Sequence, residues 1–258
     1  MCELINNPLT FIQLKDFLES RTILYNQKSF IESDPIQIPH KFKIKEDIEI
    51  AGFLTATIAW GNRKSIINNA LKLMALMDNA PYQFLMNAKA KDYTRFSGFV
   101  HRTFNSTDLL FFLSALKNIY KNHSGLENAF IGNNTFQQIS SFRNLFFQTE
   151  HFTRSQRHVS NVTKGSAAKR INMFLRWMVR KDENGVDFGI WNKLKTSDLM
   201  IPLDVHSGRV ARKLGLLQRK QDDWKAVVEL TSKLREFDPN DPVKYDYALF
   251  GAGVFEKL

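Results

Sequence analysis

A single cysteine, Cys2, stands in the whole chain. That excludes an intrachain disulfide and any four-cysteine zinc or iron–sulfur site. The six histidines His40, His101, His123, His151, His158 and His206 are scattered, without HExxH-type spacing. Neither a metal nor any other cofactor is therefore expected. No uninterrupted apolar run approaches the ~20 residues of a membrane span. Residues 1–17 also lack the basic and apolar blocks of a signal peptide. The expectation is a soluble, cytoplasmic protein with no membrane partner. Strand signals are scarce too: only PIQIP, residues 35–39, alternates, and its prolines argue for an extended loop.

What the chain has in quantity is aromatic side chains and positive charge. Aromatic residues make up 12% of its 258 residues, 22 of them phenylalanine, enough to fill an interior and leave rings for stacking on bases. Lysine and arginine outnumber the acids by 36 to 26, a formal charge of +10 that points to an anionic partner, nucleic acid first. The hydrophobic spacing is helical nearly throughout, so the fold class is all-α. Phe11, Leu14, Phe17 and Leu18 form one such stripe, and Trp224, Val227, Val228 and Leu234 another. Ser106 or Thr107 is placed to cap DLLFFLSALKNIY, Asn134 or Thr135 the segment before Phe147, and Asp222 the helix at Trp224. Asp241-Pro242 reads as the opening of the last helix. The least helical stretches are residues 28–45, 122–135 and 150–165, with a further break near 185.

Residues 154–216 carry the chemistry. RSQRHVSNVTKGSAAKR is dense in cations separated by small residues, and an apolar helix follows. At 100° per residue, Lys169 lies opposite the stripe of Ile171, Phe174, Leu175 and Met178, sharing its face with Asn172, Arg176 and Arg180. One reading is a solvated basic face. Another sets the free N–H groups after Gly165, aided by Lys164, against a phosphate. Downstream, IPLDVHSGRVARKLGL places Asp204 at an N-cap and Gly215 just past a helix end. A capping carboxylate stays ionised in the field of the helix, and an ionised carboxylate can also stabilise a developing cation.

PLDVHSGRVARKLGL resembles the segment bearing the catalytic aspartate in the helix-hairpin-helix DNA glycosylase superfamily, whose pattern is roughly V-D-T/V-H-x-x-R-V. GSAAKRINMFL is similar to that superfamily's hairpin and following helix, and IAGFLTATIAWGNRKSIINNA to its early helix and lesion-facing loop. The likeness is nearest to a bacterial family of unknown function within the superfamily and to archaeal-type 8-oxoguanine DNA glycosylases. It implies two helical domains flanking a DNA-binding cleft, residues 46–181 against residues 1–45 with 182–258, and a degenerate helix-hairpin-helix. It implies Lys169 as the nucleophile and Asp204 as its activator, in a glycosylase that is also an AP lyase. The partner implied is double-stranded DNA with a flipped damaged base, an oxidised purine by analogy, bound by a monomer. Lys164, Gly165 and Ser166 would grip the backbone. Trp60, Asn62, Arg63, His101, Arg102, His206, Tyr247 and Phe250 would border the base or the strand.

The sequence departs from the pattern where the usual L-P-G-x-G becomes T-K-G-S-A and where Asp204 follows Lys169 by 35 positions. It also lacks the cysteine cluster of the endonuclease-III branch. Two other functions fit the composition: a non-catalytic DNA- or RNA-binding protein on the same fold, and a helical protein-interaction module.

Overall fold

The computed structural model describes residues 9–258; Cys2 lies outside them. The fold is predominantly helical, with one short β-hairpin. Two compact units divide it: one runs to Phe30 and resumes from Lys164 to Leu258, the other is Ile31–Thr163.

Helix α1 (Phe11–Tyr25) starts from a capping box, in which Gln13 N–H donates to Thr10 Oγ1 and Thr10 N–H to Gln13 Oε1. A short helix α2 (Lys28–Ser33) follows, where a loop is expected from the sequence. PIQIP likewise does not extend. Each proline opens a 3₁₀ turn, Pro35–Gln37 and Pro39–Lys41, and Asp34 Oδ1 accepts from Ile36 N–H in the first. The extended loop expected there is instead two turns, with each proline at a first-turn position, where a missing N–H goes unnoticed.

The second unit is built around α3 (Lys45–Thr57), buried at every position from Asp47 to Thr57. Packed about it are α4 (Arg63–Leu76), α5 (Pro81–Asn87), the hairpin of β1 (Val100–His101) and β2 (Phe104–Asn105), α6 (Ser106–His123) and α7 (Thr135–Phe146). Phenylalanine fills this interior: Phe53, Phe112, Phe142 and Phe146 meet edge-on or stacked at 4.9–6.0 Å, and Phe130 stacks on Phe142 at 4.4 Å. The abundant rings thus serve the core first. Caps fall within a residue or two of expectation. Asn134 caps α7; α6 starts one turn position earlier, from a box between Asn105 and Asp108.

The chain then returns to the first unit through α8 (Lys169–Val179), α9 (Val205–Lys213), α10 (Trp224–Phe237) and α11 (Tyr245–Val254). Asp223, not Asp222, caps α10, and Asp241-Pro242 opens a 3₁₀ turn one step before α11. Gly215, at φ +73°, ends α9 as expected. Leu18 of α1, Val210 of α9, Leu230 of α10 and Leu249 of α11 are fully buried in one core. Helix α8 is not divided into a dry and a wet face. Its apolar stripe is buried, yet so are Asn172, Arg176 and Arg180 on the other side. Arg176 pairs with Asp187 at 3.2 Å and with Asp246; Arg180 pairs with Asp187 at 3.1 Å and Asp241 at 2.9 Å. These pairs bind α8 into the first unit, so the chain divides after Phe30 and Thr163 rather than at residues 46 and 181.

Gly251 of α11 faces α1 so closely that a Cβ would overlap the Tyr25 ring, whose hydroxyl donates to Glu256 at 2.9 Å. Gly251→Ala is expected to destabilise the protein by about 1–3 kcal/mol through overpacking. Urea denaturation measures this, with Gly98→Ala, where a Cβ meets open space, as the control.

Candidate functional site

The segment ahead of α8 is clamped by backbone. Residues 162–164 form a 3₁₀ turn, Gly165 adopts φ +84°, and its carbonyl accepts from Trp224 N–H at 2.9 Å. Ser166 bridges Asp223, and its hydroxyl accepts from Ala168 N–H at 3.2 Å. Ala168 is left-handed at φ +50° and gives α8 no side-chain cap. The chain thus turns sharply and delivers Lys169 as the first helical residue.

Asp204 heads α9. Its Oδ1 accepts two backbone N–H groups, from His206 at 2.8 Å and Ser207 at 2.9 Å. That fixes the carboxylate and leaves Oδ2 outward, where Lys169 Nζ donates at 3.0 Å. Two helix starts 35 residues apart therefore bring an amine and a carboxylate into contact. Lys169 stays one-third exposed while Asp204 is nearly covered. Burial pushes the Asp204 carboxyl up. The Lys169 charge, the Ser207 N–H and His206 outweigh it, so the group sits below the usual carboxylate range.

A second carboxyl lies beneath. Ser207, whose N–H serves Asp204, turns its hydroxyl to Asp246 Oδ1 at 3.4 Å, and Asp246 also pairs with Arg176. Burial is the main reason that Asp246 is raised to about 7; the negative charge of Asp204 adds to it, while Arg176 and Lys169 oppose it. Two acids of one type are thus driven apart by environment, one held ionised and one titrating near neutrality. Asp246 and Ser207 were not singled out in the sequence. The signal was there for Asp246, a lone acid inside the apolar run YDYALFGAG.

The other expected residues are scattered in role. His206 is exposed and lies edge-on to half-buried Phe250 at 6.3 Å, beside Asp204. Tyr247 is interior, 1% exposed, with Arg176 over its ring at 4.4 Å and Phe30 edge-on at 5.3 Å; it is core, not pocket wall. Lys164 and Gly165 are exposed on the turn before α8. In the second unit, Asn62 caps α4 by accepting from Ser65 N–H at 3.1 Å, and Arg63 is the first residue of that helix. His101 is buried, meeting Asn69 at 3.0 Å, the Trp60 carbonyl at 3.2 Å and the Trp60 ring edge-on at 5.0 Å. Burial lowers its imidazole, the Trp60 carbonyl opposes this, and nearby Arg102 adds to it. Its place is structural. Arg102 is exposed at the hairpin tip. Among the described residues, no cluster of three or more His, Cys, Asp or Glu could hold a metal ion, and no helix is long and apolar enough to cross a membrane.

Because Asp204 is depressed when folded, the stability that its charge contributes is present above its unfolded pKa near 4 and is lost as pH falls below it. Asp204→Asn keeps a capping oxygen but removes the ion pair. The stability gap between wild type and this variant should be about 1 kcal/mol at pH 6 and close as pH falls below the unfolded pKa and through the depressed folded one, by urea denaturation at each pH.

No curated protein and no solved structure matches the chain. One family does, over residues 34–255, well beyond half the sequence. The chain belongs to the family described as "Protein of unknown function (DUF2400)".

Proposed function

We propose that this protein is a DNA base-excision glycosylase with AP-lyase activity, acting through a Schiff base on Lys169. The observation that carries the reading is the 3.0 Å contact between Lys169 Nζ and Asp204 Oδ2. It sets an amine at the head of one helix against a capping carboxylate at the head of another, a nucleophile with a base and a counter-charge in reach. The resemblance of residues 154–216 to the helix-hairpin-helix glycosylases and the net charge of +10 support it.

A flipped nucleotide brings C1′ to Lys169 and displaces water from the pair. The C1′–N bond lengthens, the base departs with the bonding electrons and takes up a proton, and positive charge grows on the sugar. Asp204, held ionised by two N–H groups, faces that charge without having to reorient. Lys169 passes a proton to Asp204 Oδ2, which its Nζ already contacts, and the neutral amine closes an Nζ–C1′ bond; a second proton moves from Nζ to O4′ as the C1′–O4′ bond breaks, which leaves the Schiff base from which β-elimination cleaves the strand. Asp204, the carboxylate in contact with the amine, both receives its proton and faces the developing positive charge, while buried Asp246 stays bound to Arg176 and Ser207. The base excised is proposed to be an oxidised purine.

Borohydride trapping on duplexes carrying 8-oxoguanine or an abasic site tests the reading. Wild type should form a covalent adduct and Lys169→Gln none, while the affinity of the variant for the same duplex changes less than about threefold, as loss of one phosphate-range charge predicts. Asp204→Asn should slow adduct formation by about 10²–10³. No wild-type adduct on any duplex, abasic included, would sink the lyase mechanism.

A further inference from the structure

We propose that the second unit carries its own nucleic-acid contact surface, in which Arg102 and Arg157 take phosphates and Phe152 stacks on an unpaired or splayed base. This rests on the reading of the protein as a DNA-binding enzyme and adds to it a site away from Lys169.

The surface joins two segments. Residues 97–105 form the hairpin, and residues 151–161 form a 3₁₀ turn with its flanks. Neither segment contains a carboxylate, whereas together they hold three arginines and three histidines. Their union is built from inside. Asp108, fully buried at the start of α6, receives the Ser155 hydroxyl at 2.7 Å and lies 3.2 Å from His158 and 3.3 Å from Arg154. Arg154 reaches on to the Thr103 carbonyl at 3.0 Å, tying the turn to the hairpin tip. One buried carboxylate therefore organises the turn and leaves the outer side chains pointing away from it.

Those outer side chains are unusual as a set. Phe152 is 66% exposed and Val100 of the hairpin 58%. A single exposed ring means little by itself. Here it is two residues from one arginine and five from another, on a rigidly pinned turn. Arg157 Nε donates to the Arg154 carbonyl at 3.1 Å, which steadies the side chain and leaves its other N–H groups available. Arg102 is held left-handed at φ +54° with its guanidinium against Gly61; a Cβ there would lie 2.9 Å from Nη1. A non-glycine residue in that conformation is strained, and such strain persists where surroundings impose it and gathers at functional positions.

The chemistry favours a nucleic-acid strand over other anionic partners. Planar guanidinium forks grip phosphate bidentately, and an aromatic face accepts any base. An anionic membrane would be met by flexible lysines and a broad apolar face rather than by one ring among pinned arginines.

The test uses the full chain and a short fluorescein-labelled duplex bearing a tetrahydrofuran abasic analogue, with anisotropy titrations across salt. The double variant Arg102→Asn/Arg157→Ala should raise Kd about tenfold and lower the slope of log K against log salt by about 2, since each phosphate contact contributes ~0.9. Asparagine is chosen because it tolerates the left-handed backbone. Phe152→Ala should raise Kd about fivefold with the slope unchanged, and Phe152→Trp should restore binding. All of these side chains are at the surface, so unaltered melting curves are expected. If these variants bind like wild type while Lys169-dependent trapping persists, the surface is refuted and the enzymatic reading stands. If they weaken binding but no adduct forms on any duplex, the surface stands and the lyase reading falls. A wild-type protein with no salt-dependent binding overturns both, and would leave an acidic protein partner for this face.

Discussion

Two buried guanidinium groups on α8 hold the first unit in its arrangement. Arg176 and Arg180 enter the interior of a helix that already buries Phe174, Leu175 and Met178 on its opposite side. Neither could remain there unpaired, since stripping the partner from a buried charge costs on the order of 3–5 kcal/mol. Asp187 spans both arginines, Asp246 of α11 takes Arg176, and Asp241 before α11 takes Arg180. Between α8 and α9 the chain supplies Asp187 and buries Val186, Trp191 and Leu194 with it. Because α8 cannot rotate without breaking several pairs, its first residue is delivered to one place, beside Asp204.

Much of this was legible in the sequence, and what was not shares a cause. The all-α class, the stop at Gly215, the cap at Asp204 and the partnership of Lys169 with Asp204 each follow from local rules or from a short motif. They depend on residues close in sequence, or on a pattern retained whole. The burial of the polar face of α8 was not legible, because periodicity reports which side is apolar, not what covers the other side. Asn172, Arg176 and Arg180 are buried by residues up to 70 positions away. PIQIP fails for a related reason: prolines that suit an extended loop suit the first positions of consecutive 3₁₀ turns equally well, and here Asp34 caps the first of them.

The candidate pocket residues divide along the same line. Asn62, His101 and Tyr247 are polar or aromatic in sequence and structural in fact, each absorbed by a nearby hydrogen bond or by the core. Asp246 and Ser207 are the reverse, unmarked in sequence and adjacent to the pair in space. A carboxyl buried in the first turn of an apolar helix is costly unless partnered, and that cost is the clue that it faces other charges.

Lys169 and Asp204 belong to one unit, although a division of the chain at residue 181 would have parted them. Any hinge movement of one unit against the other would leave their 3.0 Å separation untouched. The pair is thus assembled within one unit, and on the proposed reading a bound strand would have to supply only access and grip, with no reorganisation owed at the two side chains.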